Sequence, residues 1–179
     1  DGGRRRRARD RPFFLRMQRR RHCNRESQRI RAHTHVFERE IEEQLPADTM
    51  RARVAHHLDR GDLCAVVTAT ERLVAEPFAR AFGIAHLVAT EGVLVDGRPT
   101  GEIDGLPCFR EHKLTRVQQW LASVSATPDI IAGFDDSFFY SDSINVLPLL
   151  EAVTHAVAVR PDDRLRAHAW AEGWEVIDG

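Results

Sequence analysis

The sequence contains 179 residues, of which 42% are hydrophobic and 30% are charged, with a formal net charge of −1. This composition is typical of a soluble globular domain that can bury a core of ordinary size. The longest apolar runs are far too short to cross a bilayer, which argues against a membrane-spanning protein. The three cysteines (Cys23, Cys64 and Cys108) form no paired framework, so the sequence predicts a reducing, cytoplasmic location rather than secretion.

The charge divides the chain into two unlike parts. Residues 1–32 contain 13 arginines and three acidic residues, a net charge of +10, whereas residues 33–179 carry a net charge of −11. Self-repulsion and a scarcity of apolar side chains predict that 1–32 is disordered and that 33–179 forms the folded domain. An arginine-rich arm can bind nucleic acid. It has no interleaved aromatic residues for base stacking, however, so a solvated tail or a segment without a selected role is favoured.

The first half of the domain predicts helices that alternate with strands. Hydrophobic periodicity indicates a helix broken near Pro46, a buried strand, a second helix and a second strand, over residues 36–57, 63–67, 71–82 and 85–89. Thr68–Thr70 is expected to close the first of these strands, and Gly83 stands where a helix C-terminal glycine belongs. Asp96–Gly97 lies between two short strand-like segments and predicts a hairpin turn.

The second half continues the same alternation. A helix, a strand, a helix, a strand, a helix and a short last strand are predicted over residues 114–124, 137–140, 147–153, 156–159, 164–172 and 174–177. We expect the three tryptophans, Trp120, Trp170 and Trp174, to face the core. Strands that alternate with helices predict an α/β fold, with a parallel sheet covered by helices on both faces.

Polar residues at the ends of predicted strands indicate a binding site. Thr68, Asp142 and Ser143 occupy such ends, and Lys113, the only lysine in the chain, opens a predicted helix. In open α/β sheets, ligands bind beyond the carboxyl ends of the strands, so these groups are expected to meet there. A hydroxyl, an ammonium and a carboxylate together suit a phosphate group with Mg²⁺. A surface ion pair between Lys113 and Asp142 is the alternative interpretation.

Five stretches, in order, resemble the haloacid dehalogenase (HAD) superfamily, in particular its phosphoserine-phosphatase-like branch. They are residues 66–70, 96–103, 107–113, 140–150 and 158–162. The resemblance implies a three-layer Rossmann-like core with a parallel sheet, and Mg²⁺-dependent hydrolysis of a small phosphorylated metabolite through an aspartyl-phosphate. It implies catalytic roles for Thr68 and Lys113, phosphate binding by Thr68, Ala69 and Lys113, and Mg²⁺ binding by Asp142.

The sequence departs from that family in two places. The family's nucleophile motif, Asp-x-Asp-x-Thr, follows its first strand, and no Asp-x-Asp occurs in this sequence. The N-terminal candidate for that strand, Pro12–Leu15, is followed by Arg16 and Met17, and too little chain separates it from Thr68 for the usual helical cap. Val146 stands where the family has an acid. These departures imply that the first strand and the cap are largely absent, that catalysis is impaired, and that Mg²⁺ binding is weak or lost.

Three functional hypotheses therefore stay open. The chain is a Mg²⁺-dependent phosphomonoester hydrolase with impaired catalysis, a non-catalytic remnant from a truncated or frameshifted reading frame, or a protein that binds polyanions through 1–32. Other chemistry is weaker: His56 and His57 are expected at the surface, since adjacent residues on a helix point apart. Cys108 is expected in a loop without a neighbouring base, which disfavours a role as nucleophile.

Overall fold

The computed structural model describes residues 48–124, 131, 134 and 136–178. The arginine-rich segment 1–32, the strand candidate Pro12–Leu15 and the first part of the broken helix lie outside the described residues. The helix that was predicted to resume after Pro46 is present as α1, which spans Asp48–Asp59.

Helices and strands alternate through the described chain. The first half contains β1, α2, β2, β3 and β4, over Ala65–Glu71, Arg72–Ala81, His86–Thr90, Gly92–Val95 and Arg98–Ile103. The second half contains α3, β5, a 3-10 turn, α4, β6, α5 and β7, over His112–Val124, Phe138–Ser141, Ile144–Val146, Leu147–Leu150, His155–Val159, Asp163–Glu172 and Glu175–Ile177. Every predicted element that falls in the described residues is found, with its ends shifted by a few residues.

The strands of the described chain form two parallel pieces and one hairpin. Strand β1 pairs with β2 in parallel, with Val66 opposite Leu87. Strands β5, β6 and β7 form a second parallel piece in that order. Strands β3 and β4 form an antiparallel hairpin whose turn residues, Asp96 and Gly97, have φ angles of 51° and 72°. Positive φ at both central residues defines a type I′ turn, so the Asp-Gly turn prediction is confirmed.

Helices cover both faces of the parallel pieces. On one face, Val117 and Leu121 of α3 and Leu149 of α4 pack with Val67 of β1 and Val88 of β2 in one buried cluster. On the opposite face, Met50 of α1 packs against Val157 and Val159 of β6. The predicted three-layer α/β fold is therefore confirmed. Within the described chain, none of the helices is long and apolar enough to cross a membrane.

Three details of the predictions need correction. Thr68–Thr70 does not end β1, which continues to Glu71 with an irregular register between Val67 and Glu71. Helix α4 ends at Leu150 instead of at residue 153. A 3-10 turn over Ile144–Val146 precedes it, so helical structure starts three residues before the predicted start at 147. Trp170 is 67% exposed on α5, where it lies under the Arg166 guanidinium 5.7 Å from its ring centre. Ala169, beside it, takes the buried position on this helix.

Candidate active site between β1, β5 and the start of α3

The irregular part of β1, the carboxyl end of β5 and the start of α3 bring the predicted site residues together. The ammonium of Lys113 lies close enough to the carboxylate of Asp142 and the thiol of Cys108 to interact electrostatically with both. Cys108 in turn lies next to the backbone of Thr68. The structure thus joins Thr68, Lys113 and Asp142 through one buried neighbourhood, whose centre is a cysteine that sequence reasoning had set aside.

Thr68 lies where β1 departs from regular pairing with β2. Its side chain is buried, with 2% exposure, and its Oγ1 accepts a hydrogen bond of 3.0 Å from the backbone N–H of Thr70. Since a hydroxyl has one hydrogen to donate as well as lone pairs to accept with, this bond leaves the hydroxyl able to donate to a phosphate oxygen. A β-bulge adds residues to one strand relative to its partner and changes the direction of a side chain. Such bulges are common beside active sites.

The backbone after Thr68 is fixed by the neighbouring strand. Thr90, at the end of β2, donates its hydroxyl to the carbonyl oxygen of Ala69 at 2.9 Å. The same hydroxyl accepts the backbone N–H of Cys108 at 3.1 Å. Thr90 therefore links the irregular part of β1 at Ala69 to the loop that leads into α3 and Lys113.

Lys113 is the second residue of α3 and is 4% exposed. Burial lowers the pKa of its ammonium, because removal from water penalises the charged form. The carboxylate of Asp142 acts in the opposite direction and raises the same pKa. Charges in this buried neighbourhood are weakly screened, so an anion placed beside the ammonium interacts with it more strongly than it would at the surface.

Asp142 directly follows β5. Its backbone is hydrogen-bonded to the loop that follows β6. Its carbonyl oxygen accepts the backbone N–H of Asp162 at 2.8 Å. The carboxylate of Asp162 accepts the N–H of Leu165 at 2.8 Å, which caps α5, and that of Ile144 at 3.1 Å. One aspartate thus fixes the loop that carries Asp142 to the start of α5.

The described residues offer an incomplete set of ligands for Mg²⁺. Asp142 supplies one carboxylate, and no cluster of three His, Cys, Asp or Glu side chains with metal-binding spacing is found in the described ranges. Val146 is 5% exposed and packs with Leu150, Ala158 and Leu165 in an apolar cluster. Because Mg²⁺ binds hard oxygen ligands in near-octahedral geometry, this part of the chain does not fit it.

Two further features of this edge were missed from the sequence. Cys108 is fully buried, and burial raises the pKa of its thiol. An ion cluster lies beyond β2, where Arg72 forms three hydrogen-bond contacts of 2.7–2.9 Å with the carboxylate of Glu91, and Arg116 lies 3.5 Å from the same carboxylate. The short spacing of five residues between Cys108 and Lys113 was the signal in the sequence that could have placed Cys108 near the site. Arg116 lies three residues after Lys113, on the same side of the helix.

The three-layer α/β core thus carries a lysine, a threonine and an aspartate in one neighbourhood. A family model described as haloacid dehalogenase-like hydrolase matches residues 2–151. The chain therefore belongs to this family, as the resemblance in its sequence predicted. The chain is 38% identical over 129 residues to a histidinol-phosphatase of Neisseria meningitidis, a match that covers 72% of this chain and 57% of that protein.

Solved structures share the fold of this chain. A Bordetella pertussis protein of unknown function is similar with a TM-score of 0.78 and 46% identity, over 85% of this chain and 67% of that chain. A probable phosphoserine phosphatase from Vibrio cholerae has the same fold, with a TM-score of 0.58 and 17% identity over 78% of this chain and 40% of that chain. The chain thus spans little more than half of the histidinol-phosphatase and less than half of the Vibrio protein.

Proposed function

We propose that this chain binds phosphate esters as a Mg²⁺-dependent phosphomonoesterase of its family does, but turns them over poorly. The observation that supports binding is the buried Lys113 ammonium beside Asp142, close to the buried Thr68 hydroxyl. In this proposal the Thr68 hydroxyl and the backbone at Ala69 hold phosphate oxygens, and Lys113 offsets the phosphate charge. Asp142 is the residue that would hold a Mg²⁺ ion, but one carboxylate is too few ligands for that ion, so we expect the metal to bind weakly or not at all.

Poor turnover follows from two sequence features. The 179-residue sequence contains no Asp-x-Asp. It therefore lacks the pair of carboxylates that serves as nucleophile and as general acid–base in the family. Val146 adds an apolar side chain in a buried cluster where the family has an acid. Loss of a nucleophile from a cooperating set of residues typically costs on the order of 10⁴–10⁶ in rate. Mg²⁺ binding is expected to be weak for the same reason.

The substrate, location and domain division are part of the proposal. A relative that covers 72% of the chain is named as a histidinol-phosphatase, and this supports a small phosphorylated metabolite as the ligand. The absence of paired cysteines in the sequence supports a cytoplasmic location. The charge division supports residues 1–32 as a separate basic segment, and 33–179 as the partial catalytic core.

The test is binding of inorganic phosphate, measured as a rise in melting temperature. A ligand at ten times its Kd stabilises by about 1.4 kcal/mol, which is about 3–6 °C for a chain of this size. We expect this rise for the wild type, and expect it to disappear in Lys113→Met and in Thr68→Val. Thr100→Val, on the exposed β4, is the matched control and should keep the full rise. Equal shifts in all four proteins would refute the site.

A second function is favoured by charge alone. The net +10 of residues 1–32 favours binding of polyanions such as nucleic acid, without sequence preference, through phosphate neutralisation. The net −11 of residues 33–179 opposes it. This activity would be independent of the phosphate site, and the two are separable by substitution.

A further inference from the structure

Exposed apolar side chains are concentrated in one segment beside the candidate active site. Of the nine large apolar side chains that are exposed within the described ranges, five lie in residues 94–109. They are Leu94, Val95, Ile103, Leu106 and Phe109. Single exposed apolar residues are normal on a protein surface, whereas a cluster of them marks a ligand site or an interface. The cluster therefore indicates that something binds to this segment.

The segment leaves the sheet and returns to it next to the proposed phosphate site. Strand β2 ends at Thr90, and the N–H of Asp104 donates to the carbonyl oxygen of Glu91 at 2.9 Å, which closes the base of the hairpin. The N–H of Cys108, the buried residue beside Lys113, donates to the hydroxyl of Thr90. The base of the hairpin is thus bonded directly to the residues that surround the Lys113 ammonium.

Phe109 lies where the chain enters the helix that carries Lys113. Its carbonyl oxygen accepts the N–H of His112 at 3.1 Å, and the carbonyl oxygen of Arg110 accepts the N–H of Lys113 at 3.0 Å. Cys108 is fully buried, whereas Phe109, the next residue, is 50% exposed. The chain therefore turns an aromatic ring out to solvent in the first turn of α3, beside the phosphate site.

The neighbouring residue Arg110 holds the ring of Phe109. Its guanidinium lies 5.1 Å from the ring centre, within the range of a cation–π contact. Arg110 also has a φ angle of 48°, in the left-handed region that residues other than glycine rarely adopt. Backbone strain of this kind clusters at binding sites, where the surrounding structure maintains it. A ring that is already oriented loses little side-chain freedom when a ligand contacts it.

Ile103 and Leu106 extend the apolar surface from Phe109 along the base of the hairpin. Ile103 stands opposite Gly92 in the register of β3 and β4, so no side chain covers it from across the strand pair. A Cβ atom at Gly92 would lie 3.3 Å from Oε1 of Glu71, the last residue of β1. Since paired residues share one face of a hairpin, the face of Ile103 is turned toward the end of β1.

We propose that Ile103, Leu106 and Phe109 form a subsite for the leaving group of a phosphate ester, and that this leaving group is an apolar, ring-sized group, as in a benzyl phosphate. The subsite depends on the proposed function, because it places a leaving group only when the phosphate is bound beside it. Lys113 and Thr68 would hold the phosphate, and the three apolar side chains would remove the ring from water.

Continuity and size favour a small ligand as the occupant. The apolar surface begins one residue after Cys108, so a group attached to the bound phosphate reaches it without a separate binding event. A stable protein interface buries about 20–30 residues a side, far more than the five exposed apolar side chains of this segment. An aromatic side chain next to a polar anchor is also the usual composition of a small-molecule site.

Two phosphonates of equal charge test the subsite. Benzylphosphonate and methylphosphonate differ by one phenyl ring, and neither can be hydrolysed at its C–P bond as an ester can. Calorimetry at a pH at which both are dianions gives their dissociation constants. The wild type should bind benzylphosphonate at least about fivefold more tightly, because the ring buries apolar surface in addition to the shared anion contact. Its heat-capacity change on binding should also be more negative.

Substitutions in the subsite should remove the preference and keep the anion contact. Phe109→Ala should lower the preference to less than about twofold, with the affinity for methylphosphonate within about twofold of the wild type. Phe109→Tyr keeps the ring and should keep the preference. Ile103→Thr has a similar shape without the apolar surface and should lower the preference in part. In each variant, methylphosphonate binding shows that the phosphate site is folded.

Phe138→Ala is the control, because it removes an exposed ring from the opposite edge of the sheet. Phe138 lies at the amino end of β5, where it packs against His57. The side chain of His57 is only 16% exposed, which corrects the expectation that it is a surface residue. Phe138 also borders an apolar cavity of about 120 Å³, which is a second place for a ring to bind. This variant should keep the full preference for benzylphosphonate.

The outcomes separate the subsite from the proposed function. Equal affinity of the wild type for both phosphonates, or a preference that survives Phe109→Ala, would overturn the subsite and leave the phosphate site intact. A preference lost in Phe138→Ala and kept in Phe109→Ala would assign the ring to the cavity and would also overturn it. If the phosphonates do not bind and inorganic phosphate does, the subsite is wrong. If inorganic phosphate does not bind either, the proposed function fails and the subsite fails with it.

Discussion

At the scale of single residues, Arg160 holds a backbone conformation that long side chains rarely adopt. Its φ is +44°, in the left-handed region, and its N–H donates to the carbonyl oxygen of Ile177 at 2.7 Å. Asparagine enters that region several-fold more readily. Arg160→Asn should therefore stabilise the fold by about 0.5–1 kcal/mol in urea unfolding.

Arg164→Asn is the control for that substitution, because Arg164 lies in the right-handed first turn of α5. Asparagine has a lower helix propensity than arginine. The free energy of unfolding of Arg164→Asn should therefore be unchanged or lower by less than about 1 kcal/mol. A destabilisation by Arg160→Asn of the same size as by Arg164→Asn would show that φ at 160 stores no strain.

The buried lysine predicts proton uptake when phosphate binds. Burial lowers the pKa of Lys113 in the phosphate-free protein, and a phosphate dianion beside the ammonium should raise that pKa again. Between the lowered pKa and the ordinary lysine value of about 10.4, binding must therefore take up protons, and affinity must fall as pH rises. Calorimetry at about pH 9 in two buffers of different ionisation enthalpy measures the uptake.

Lys113→Met supplies the comparison, since methionine has a similar length and cannot titrate. Any residual phosphate binding in this variant should show no proton uptake over the same range of pH. Uptake equal to that of the wild type would assign the protons to another group. It would then remove Lys113 from the phosphate site.

At the scale of elements, Asp162 holds together the loops on which Asp142 depends. Its carboxylate caps α5 at Leu165 and accepts the N–H of Ile144 in the 3-10 turn. Loss of an N-terminal cap costs about 1–2 kcal/mol, so Asp162→Ala should lower the free energy of unfolding by at least this amount. It should also weaken phosphate binding by loosening the Asp142 loop.

Asp163→Ala is the matched control, because Asp163 lies in the first turn of the same helix. A carboxylate at this position interacts with the helix dipole and contributes less than about 1 kcal/mol. Denaturant unfolding of both variants separates capping from a general charge effect. Equal losses would show that the cap at Asp162 contributes nothing specific.

The elements could be predicted from sequence because their local patterns agree with the fold. Continuous apolar runs predicted β1 and β6, Asp96–Gly97 predicted the hairpin, and Gly83 predicted the end of α2. The exposure of Trp170 was predicted wrongly because helix α5 is only weakly amphipathic, so its pattern does not decide which face is buried. Cys108 was missed because its neighbours, Thr68 and Lys113, are joined to it only by tertiary packing.

At the scale of the whole molecule, the charge division predicts where polyanions bind. Replacing Arg4–Arg7 by glutamine should weaken binding of a random DNA duplex at low salt by at least about tenfold, and should lower the dependence of affinity on salt. The control replaces four exposed arginines of the domain by glutamine and changes the net charge equally. Those are Arg98, Arg110, Arg160 and Arg164. If the control weakens binding as much as the arm variant does, the arm is not the binding site.

The proposed function predicts that this chain binds phosphate and hydrolyses phosphate esters very slowly. Its most direct test is hydrolysis of an aryl phosphate with Mg²⁺ by the purified chain. With typical enzymes near 10 s⁻¹, and a loss of at least about 10⁴ for a missing nucleophile, we expect a rate below about 10⁻³ s⁻¹. A rate near 1 s⁻¹, within the ordinary enzyme range, that disappears in Lys113→Ala would contradict the account. It would show that another residue serves as the nucleophile at this site.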